Sequence, residues 1–253
     1  MILNIVYHSF MHILTLGLQI LSFQNPTTDL AILEKLTGCY DLHYMFREET
    51  PLPGKGSEVV FQDASREWVE LQKLSDETSS YQLEHFFQNP RDPSTRLSDG
   101  SFEIKQHHAE VWTALASGEW KQEVFFFENY GEGKNARGEE AKVDRSSCTS
   151  AWQQKPQHSG PDLVYRHCEA PGAKRPQRHK YTGRSYETLD RSHSVFVYPD
   201  GSWYQISRNT IRDEKLKAVD GSEIRLDTQE RGAIAYRKIA DVSTKEECFQ
   251  RPR

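Results

Sequence analysis

The stretch Val195–Ile206 reads VFVYPDGSWYQI, and its reading decides the fold class. Pro199-Asp200-Gly201 separates two runs rich in aromatic and β-branched residues. Proline presets φ for the first turn position, and glycine accepts the positive φ that a tight reversal needs. The stretch is therefore expected to be a β-hairpin. Working upstream, further strand candidates are SHSVFVYP, HKYTGRSYETL, DLVYRHCE, TSAWQQ, EWKQEVFFFE, SFEIKQHHAEVW, SSYQLEHFFQ, REWVELQKL and EVVFQ. Downstream come SWYQISRNT, SEIRLDT and GAIAYRKI. Polar joints carrying Gly, Pro or Asp-Gly separate many of them. The longest, ENYGEGKNARGEEAKVDRSS, reads as a mobile surface loop. Roughly a dozen short strands in series, with no fixed-period repeat, predict an all-β antiparallel, lipocalin-like barrel.

At the N-terminal side, Thr28 or Asp29 is expected to cap a short helix with Leu30, Leu33 and Leu36 on one face. Gly38 ends that helix, and a first strand then alternates through Tyr40, Leu42, Tyr44 and Phe46.

Composition agrees with a β protein. The 253 residues are 36% hydrophobic and 11% aromatic, with mean hydropathy -0.77. The rings exclude a disordered chain, and the low hydropathy suits strands that show water every second residue. A pI near 6.1 excludes a general nucleic-acid binder, whose domain would be strongly basic.

Met11–Phe23 is apolar and has the length of a secretory h-region, followed by polar Gln24-Asn25-Pro26. Residues 1–25 are thus expected to be a signal peptide, although no Lys or Arg precedes the run, and residues 26–253 one barrel domain. The run is too short for a membrane span, and no transmembrane segment is expected in the mature chain. Cys39, Cys148, Cys168 and Cys248 follow the leader without any CxxC pair, which suits disulfides in an oxidising compartment. Four cysteines allow three pairings. Cys39–Cys248 would tie the tail to the first strand, and Cys148–Cys168 would brace the hairpin from TSAWQQ to LVYRHC. This pairing is the one expected.

The chain carries no GxSxG elbow, no phosphate loop, and no HxH or HExxH, so neither catalysis nor a cofactor has positive support. No metal site is expected either. His107 and His108 are adjacent and on a regular strand would point to opposite faces, and the histidines read as residues tolerated on half-exposed strands. Lys174–His193 forms a basic island whose cations can cover neighbouring rings or bind a carboxylate or phosphate, with Arg178 and Arg184 as donors and Tyr186 beside them. Trp112, Trp120 and Trp203, on separate strand candidates, either pack the interior or line a cavity for an apolar ligand.

LTGCYDLHYMF, EIKQHHAEVW, GEWKQEVFFF and RPQRHKYTGRSYETLDRSHSVFVYPDGSWYQ occur in that order. Together they resemble an uncharacterised family of bacterial envelope proteins. That family pairs a GCY strand start with an IKHWRQDW-like strand, a G-x-W-x-Q-x-V strand, a PLPRREYTKRSDY block and a late cysteine. The likeness runs from about Leu30 to Cys248 and is densest over Arg175–Arg191. HHAEVW, the insertion after Tyr130 and the Cys148/Cys168 pair depart from the pattern. A weaker similarity is to phycobiliprotein chromophore lyases, which are also lipocalin-like barrels. The resemblance implies a periplasmic or secreted protein and confers no activity. The expected function is a non-enzymatic barrel holding a small apolar or amphipathic molecule. The alternatives are a lyase-like enzyme using the same cavity, or a structural or protein-interaction module with a packed interior.

Overall fold

The computed structural model describes residues 26–49, 58–75, 77–88, 96–127, 142–155, 163–174, 188–217 and 220–251. The leader region, residues 50–57 and the segment holding Arg178, Arg184 and Tyr186 lie outside them. The chain order is α1 (Pro26–Lys35), β1 (Gly38–Glu49), β2 (Glu58–Ser75), β3 (Ser80–Gln88), β4 (Ile104–Ala114) and β5 (Trp120–Phe127). β6 (Lys142–Ser150), β7 (Gln153–Lys155), β8 (Leu163–Lys174), β9 (Thr188–Val197), β10 (Trp203–Lys217), β11 (Glu223–Lys238) and α2 (Lys245–Gln250) follow. The protein is an all-β antiparallel barrel with a short N-terminal helix.

The Val195–Ile206 hairpin forms as its turn chemistry requires. Tyr198 N donates to Ser202 O at 2.8 Å and Gly201 N to Tyr198 O at 3.0 Å, with Gly201 at φ +82°. A side chain at Gly201 would also meet Lys35 O at 2.9 Å, because this turn packs on the end of α1. Tyr40 Oη marks the same junction, within hydrogen-bond distance of the carbonyls of Lys35, Thr37 and Gly201.

Several boundaries differ from expectation. EVVFQ and REWVELQKL are one strand, β2, because QDAS between them contains no glycine or proline to break the ladder. SEIRLDT and GAIAYRKI likewise merge into β11. Gly232 is no turn there: it faces Phe46 on β1, whose ring would lie 2.3 Å from an added Cβ. The KVDRSS end of the long loop is strand, opening β6. α1 starts at Pro26, a favoured first helical residue, so Asp29 lies inside its first turn instead of capping it. Its buried face is Asp29, Ile32, Leu33 and Leu36, the i, i+3, i+4, i+7 stripe of a helix.

The sheet order is β6-β5-β4-β3-β2-β1-β11-β10-β9-β8-β7. β6 pairs β5, the chain kinks at Ala151-Trp152, and β7 pairs β8. TSAWQQ is therefore a strand that changes neighbours, and it brings β6 beside β8. Side chains close that seam. Cys148 and Cys168 form a disulfide across it. The Arg166 guanidinium donates to Trp120 O at 3.0 Å, Ser150 O at 3.4 Å and Gln122 Oε1 at 2.6 Å.

Outside the barrel, α2 is held against β1 and β2 by the Cys39–Cys248 disulfide. Arg66 adds bonds to the carbonyls of Cys248 and Arg251 and an ion pair with Asp41 at 2.8 Å. Both disulfides are the expected ones.

Inside, the strands share one gradient. Near α1 the interior is apolar: Leu33, Leu36, Tyr40, Leu42, Trp112, Trp120, Trp152, Trp203 and Tyr236 form one core. Further along the same inward phase come Glu67, His85, His108, Arg166, His193, Ser207, Asn209 and Glu230, all buried. Beyond them a small apolar cluster, Ala173, Leu189 and Ile211, follows.

Candidate functional site

Strand alternation explains how polar residues enter the barrel. On β2, Glu67 shares a face with Val69 and Leu71. On β3, His85 follows Tyr81 and Leu83, and on β4 Glu110 and His108 precede or share the face of Trp112. Each polar residue stands where the pattern would otherwise put an apolar one. Burying such groups is costly unless they are paired, and they are extensively paired.

A β-bulge brings a third histidine into this band. The β3–β4 register shifts between His85 and Phe86, which oppose His108 and Gln106, leaving His107 as the extra residue. On a regular strand His107 and His108 would diverge; here the bulge folds both rings to one place. Their centroids are 4.4 Å apart, and His108 stacks on His85 at 3.7 Å. Glu67 spans the group, with Oε2 3.1 Å from His85 Nδ1 and Oε1 3.1 Å from His107 Nε2. Burial pushes the Glu67 carboxyl up, but the charge and hydrogen bonds of His107 and His85 outweigh it and hold it down at about 2.

The second part of the band centres on Glu110 and Gln122. Glu110 Oε2 accepts from Trp112 Nε1 at 3.1 Å and from Gln122 Nε2 at 2.9 Å. Gln122 Oε1 receives Arg166 and lies 3.3 Å from His193 Nε2. Burial lowers the Arg166 guanidinium to about 10, against the opposing pull of Glu110. Asn209 Nδ2 donates to Glu230 Oε1 at 2.7 Å deeper along the barrel. The expectation of histidines on half-exposed strands holds for only some of those described: His85, His108 and His193 are buried, His107 is half-buried, and His43 and His167 are exposed.

Of the tryptophans expected to line a site, Trp112 and Trp203 border an internal cavity of about 10 Å³ together with Leu36, Leu83, His85, Glu110, Val195 and Gln205. That space suits about one water molecule. Trp120 is not among its walls; its indole donates to Asp29 Oδ2 at 3.0 Å and closes α1 onto the core. Ring packing accounts for most of the aromatic surface, as Trp112 stacks on Trp152 at 5.7 Å and Trp203 on Tyr236 at 3.4 Å.

One arrangement on the outer wall mimics a hydrolase. His167 Nδ1 lies 2.9 Å from Ser194 Oγ, and its Nε2 lies 2.8 Å from Glu169 Oε1. Ser194, however, sits mid-strand, paired with His167 on one side and Ile206 on the other. Its backbone N–H serves the ladder, and no oxyanion-binding turn is built there.

Sequence reasoning missed Glu67, Glu110 and Arg166. The signal was a polar residue in the apolar phase of a strand. The bulge at His107 has no such signal.

Among the described residues, no helix is long and apolar enough to cross a membrane. No family model matches the chain, and no curated protein does.

Proposed function

We propose that this chain is an exported binding barrel whose ligand is a small amphipathic molecule held where the ring-lined half meets the polar band. The observation that carries this reading is the concentration of buried ionisable groups, Glu67, His85, His108, Arg166 and Glu230, with half-buried Glu110, beside Trp112 and Trp203. Apolar residues of similar volume at those positions would often be at least as stabilising, so selection for stability alone does not explain them. Between the apolar and amphipathic ligands expected, this band favours the second: rings for a tail, Arg, His and Glu for a head. The cavity of about 10 Å³ lies at that junction. A ligand site of ordinary size, several hundred cubic ångströms, requires the barrel to open there. Export is supported by the two disulfides and by the resemblance to bacterial envelope proteins.

Native mass spectrometry of protein purified from its own host tests the ligand. We expect an organic adduct of a few hundred daltons that is lost on denaturation. Adduct-free protein, with no thermal shift across anionic and neutral amphiphiles, overturns the reading. The small cavity favours a second reading, a structural or interaction module with a packed interior, and that negative result would leave it standing. Export is tested by N-terminal sequencing of natively produced protein, which should begin between Gln24 and Asp29; an intact Met1 would overturn it.

A further inference from the structure

We propose that His85, His107 and His108 form a binding site for a divalent transition-metal ion of the zinc type, with Glu67 as the carboxylate that orients two of the ligands. This goes beyond the amphiphile reading and does not depend on it. Each of the three rings offers one ligating nitrogen, and those nitrogens lie within 4.8 Å of one another. Two are already at ligand spacing: His107 Nδ1 and His108 Nδ1 are 3.4 Å apart. Nitrogens bound tetrahedrally at zinc–nitrogen distances of ~2.05 Å are separated by about 3.3 Å. The third lies within 4.8 Å of them and must close in by at most about 1.5 Å, a movement within the range of a side-chain rotation.

The hydrogen-bond pattern fits a metal better than it fits packing alone. Glu67 takes His85 Nδ1 and His107 Nε2. A carboxylate on one ring nitrogen fixes the tautomer in which the other presents its lone pair, the usual outer support of a metal-bound imidazole. His85 is 1% exposed, and its Nε2 is buried without a hydrogen-bond partner. That nitrogen has therefore given up water and received nothing in exchange. An ion would use that lone pair. Imidazole nitrogens select zinc-class ions over calcium or magnesium, which prefer oxygen. Three protein ligands leave a fourth position for water or another donor, as in open zinc sites.

The bulge is the second argument. A regular β4 would keep His107 on the opposite face from His108, and the extra residue in the register is what delivers both. Bulges recur where a strand must re-aim a side chain.

The test uses the full chain, stripped with chelator and titrated calorimetrically with zinc, then with cobalt(II) as a spectroscopic probe. We expect one equivalent bound and visible cobalt bands of a low-coordinate nitrogen site. His107→Ala, the most accessible of the three with a side chain 22% exposed, should weaken zinc binding at least 100-fold while the far-UV spectrum is kept. Glu67→Gln should weaken it about 10–100-fold with one equivalent retained, the range of outer-support losses. His167→Ala, on the exposed wall, should change nothing. Stripped wild-type protein that takes up no stoichiometric zinc overturns the proposal, as does a folded His107→Ala that binds zinc undiminished. His85→Gln serves as a second folded variant should His107→Ala fail to express. Metal uptake is read without any amphiphile, so it can fail or succeed independently of the ligand reading.

Discussion

Around Tyr40, Trp203 and Tyr236 the barrel interior consists of rings packed edge-on or stacked, closed by the apolar stripe of α1. Further along the barrel, the inward phase of β2, β3, β4, β5, β8 and β10 carries Glu67, His85, His108, Gln122, Arg166 and Asn209. Both halves belong to one antiparallel sheet, so the difference lies mainly in side chains, with one backbone irregularity, the bulge at His107. The ring-lined half owes its stability to area removed from water and to shape. In the polar band every group must be satisfied by a specific neighbour, and the balance between desolvation and pairing is close. One half therefore resists change, while the other is specified by something other than stability.

The sharpest way to break this contrast is to damage the ring-lined half. Trp203→Ala should cost about 3–5 kcal/mol, the range for losing a large buried aromatic, read as a fall in the urea midpoint. A loss below 1 kcal/mol would mean that half is looser than its packing indicates. Next is the seam beside the polar band. Removing the Cys148–Cys168 bond by double substitution to Ser frees a loop of 20 residues, for which chain entropy predicts a loss of about 3 kcal/mol. Because Arg166 stitches the same seam, the fold should survive, and near-native circular dichroism checks that.

A smaller effect should come with acid. Burial pushes Asp41 up, but Arg66 and Arg237 hold its carboxyl below the ordinary range. A lowered folded value means the contribution is complete above the unfolded value near 4 and is lost as pH falls through the folded one. Denaturant midpoints measured downward from pH 5 should fall less steeply in Asp41→Asn than in the wild type. Equal slopes would dismiss the pair. The smallest stability effect is expected where the polar band is made apolar as a pair. Asn209→Leu with Glu230→Leu should be near neutral or stabilising, whereas Asn209→Ala alone should cost about 1–3 kcal/mol by removing a hydrogen bond to a buried carboxylate. A double variant as damaged as the single one would show that the band is structural after all.

Much of this architecture was legible in the residues. Alternation, the Pro-Asp-Gly turn and the cysteine spacing led to an antiparallel barrel with both disulfides placed. What escaped was long-range. Nothing local in REWVELQKL says that Glu67 will meet histidines from two other strands. Nothing in QHHAEVW announces an extra residue in the ladder, because a bulge is a property of two strands in register. The merger of EVVFQ with REWVELQKL is hidden for the opposite reason: the polar residues Asp63 and Ser65 break the apolar pattern without any Gly or Pro to end the strand. Arg178, Arg184 and Tyr186 fall outside the described residues.

The Cys39–Cys248 bond spans 209 residues, and β1 takes β11 as its second neighbour over Tyr40–Glu49. Both facts impose an order in time. During synthesis β1 can pair at once with β2, but its other edge stays bare until Glu223–Lys238 arrives. Unpaired edges of that length invite association with other chains. The thiol of Cys39 must also wait, while Cys148 and Cys168 emerge earlier and close to one another. An oxidant acting on the nascent chain would meet Cys39 with only Cys148 or Cys168 as partners, and such a bond must later be exchanged through a mixed disulfide. Maturation of this barrel should therefore run at the pace of thiol exchange, and an isomerase should hasten it more than it hastens formation of the strands themselves.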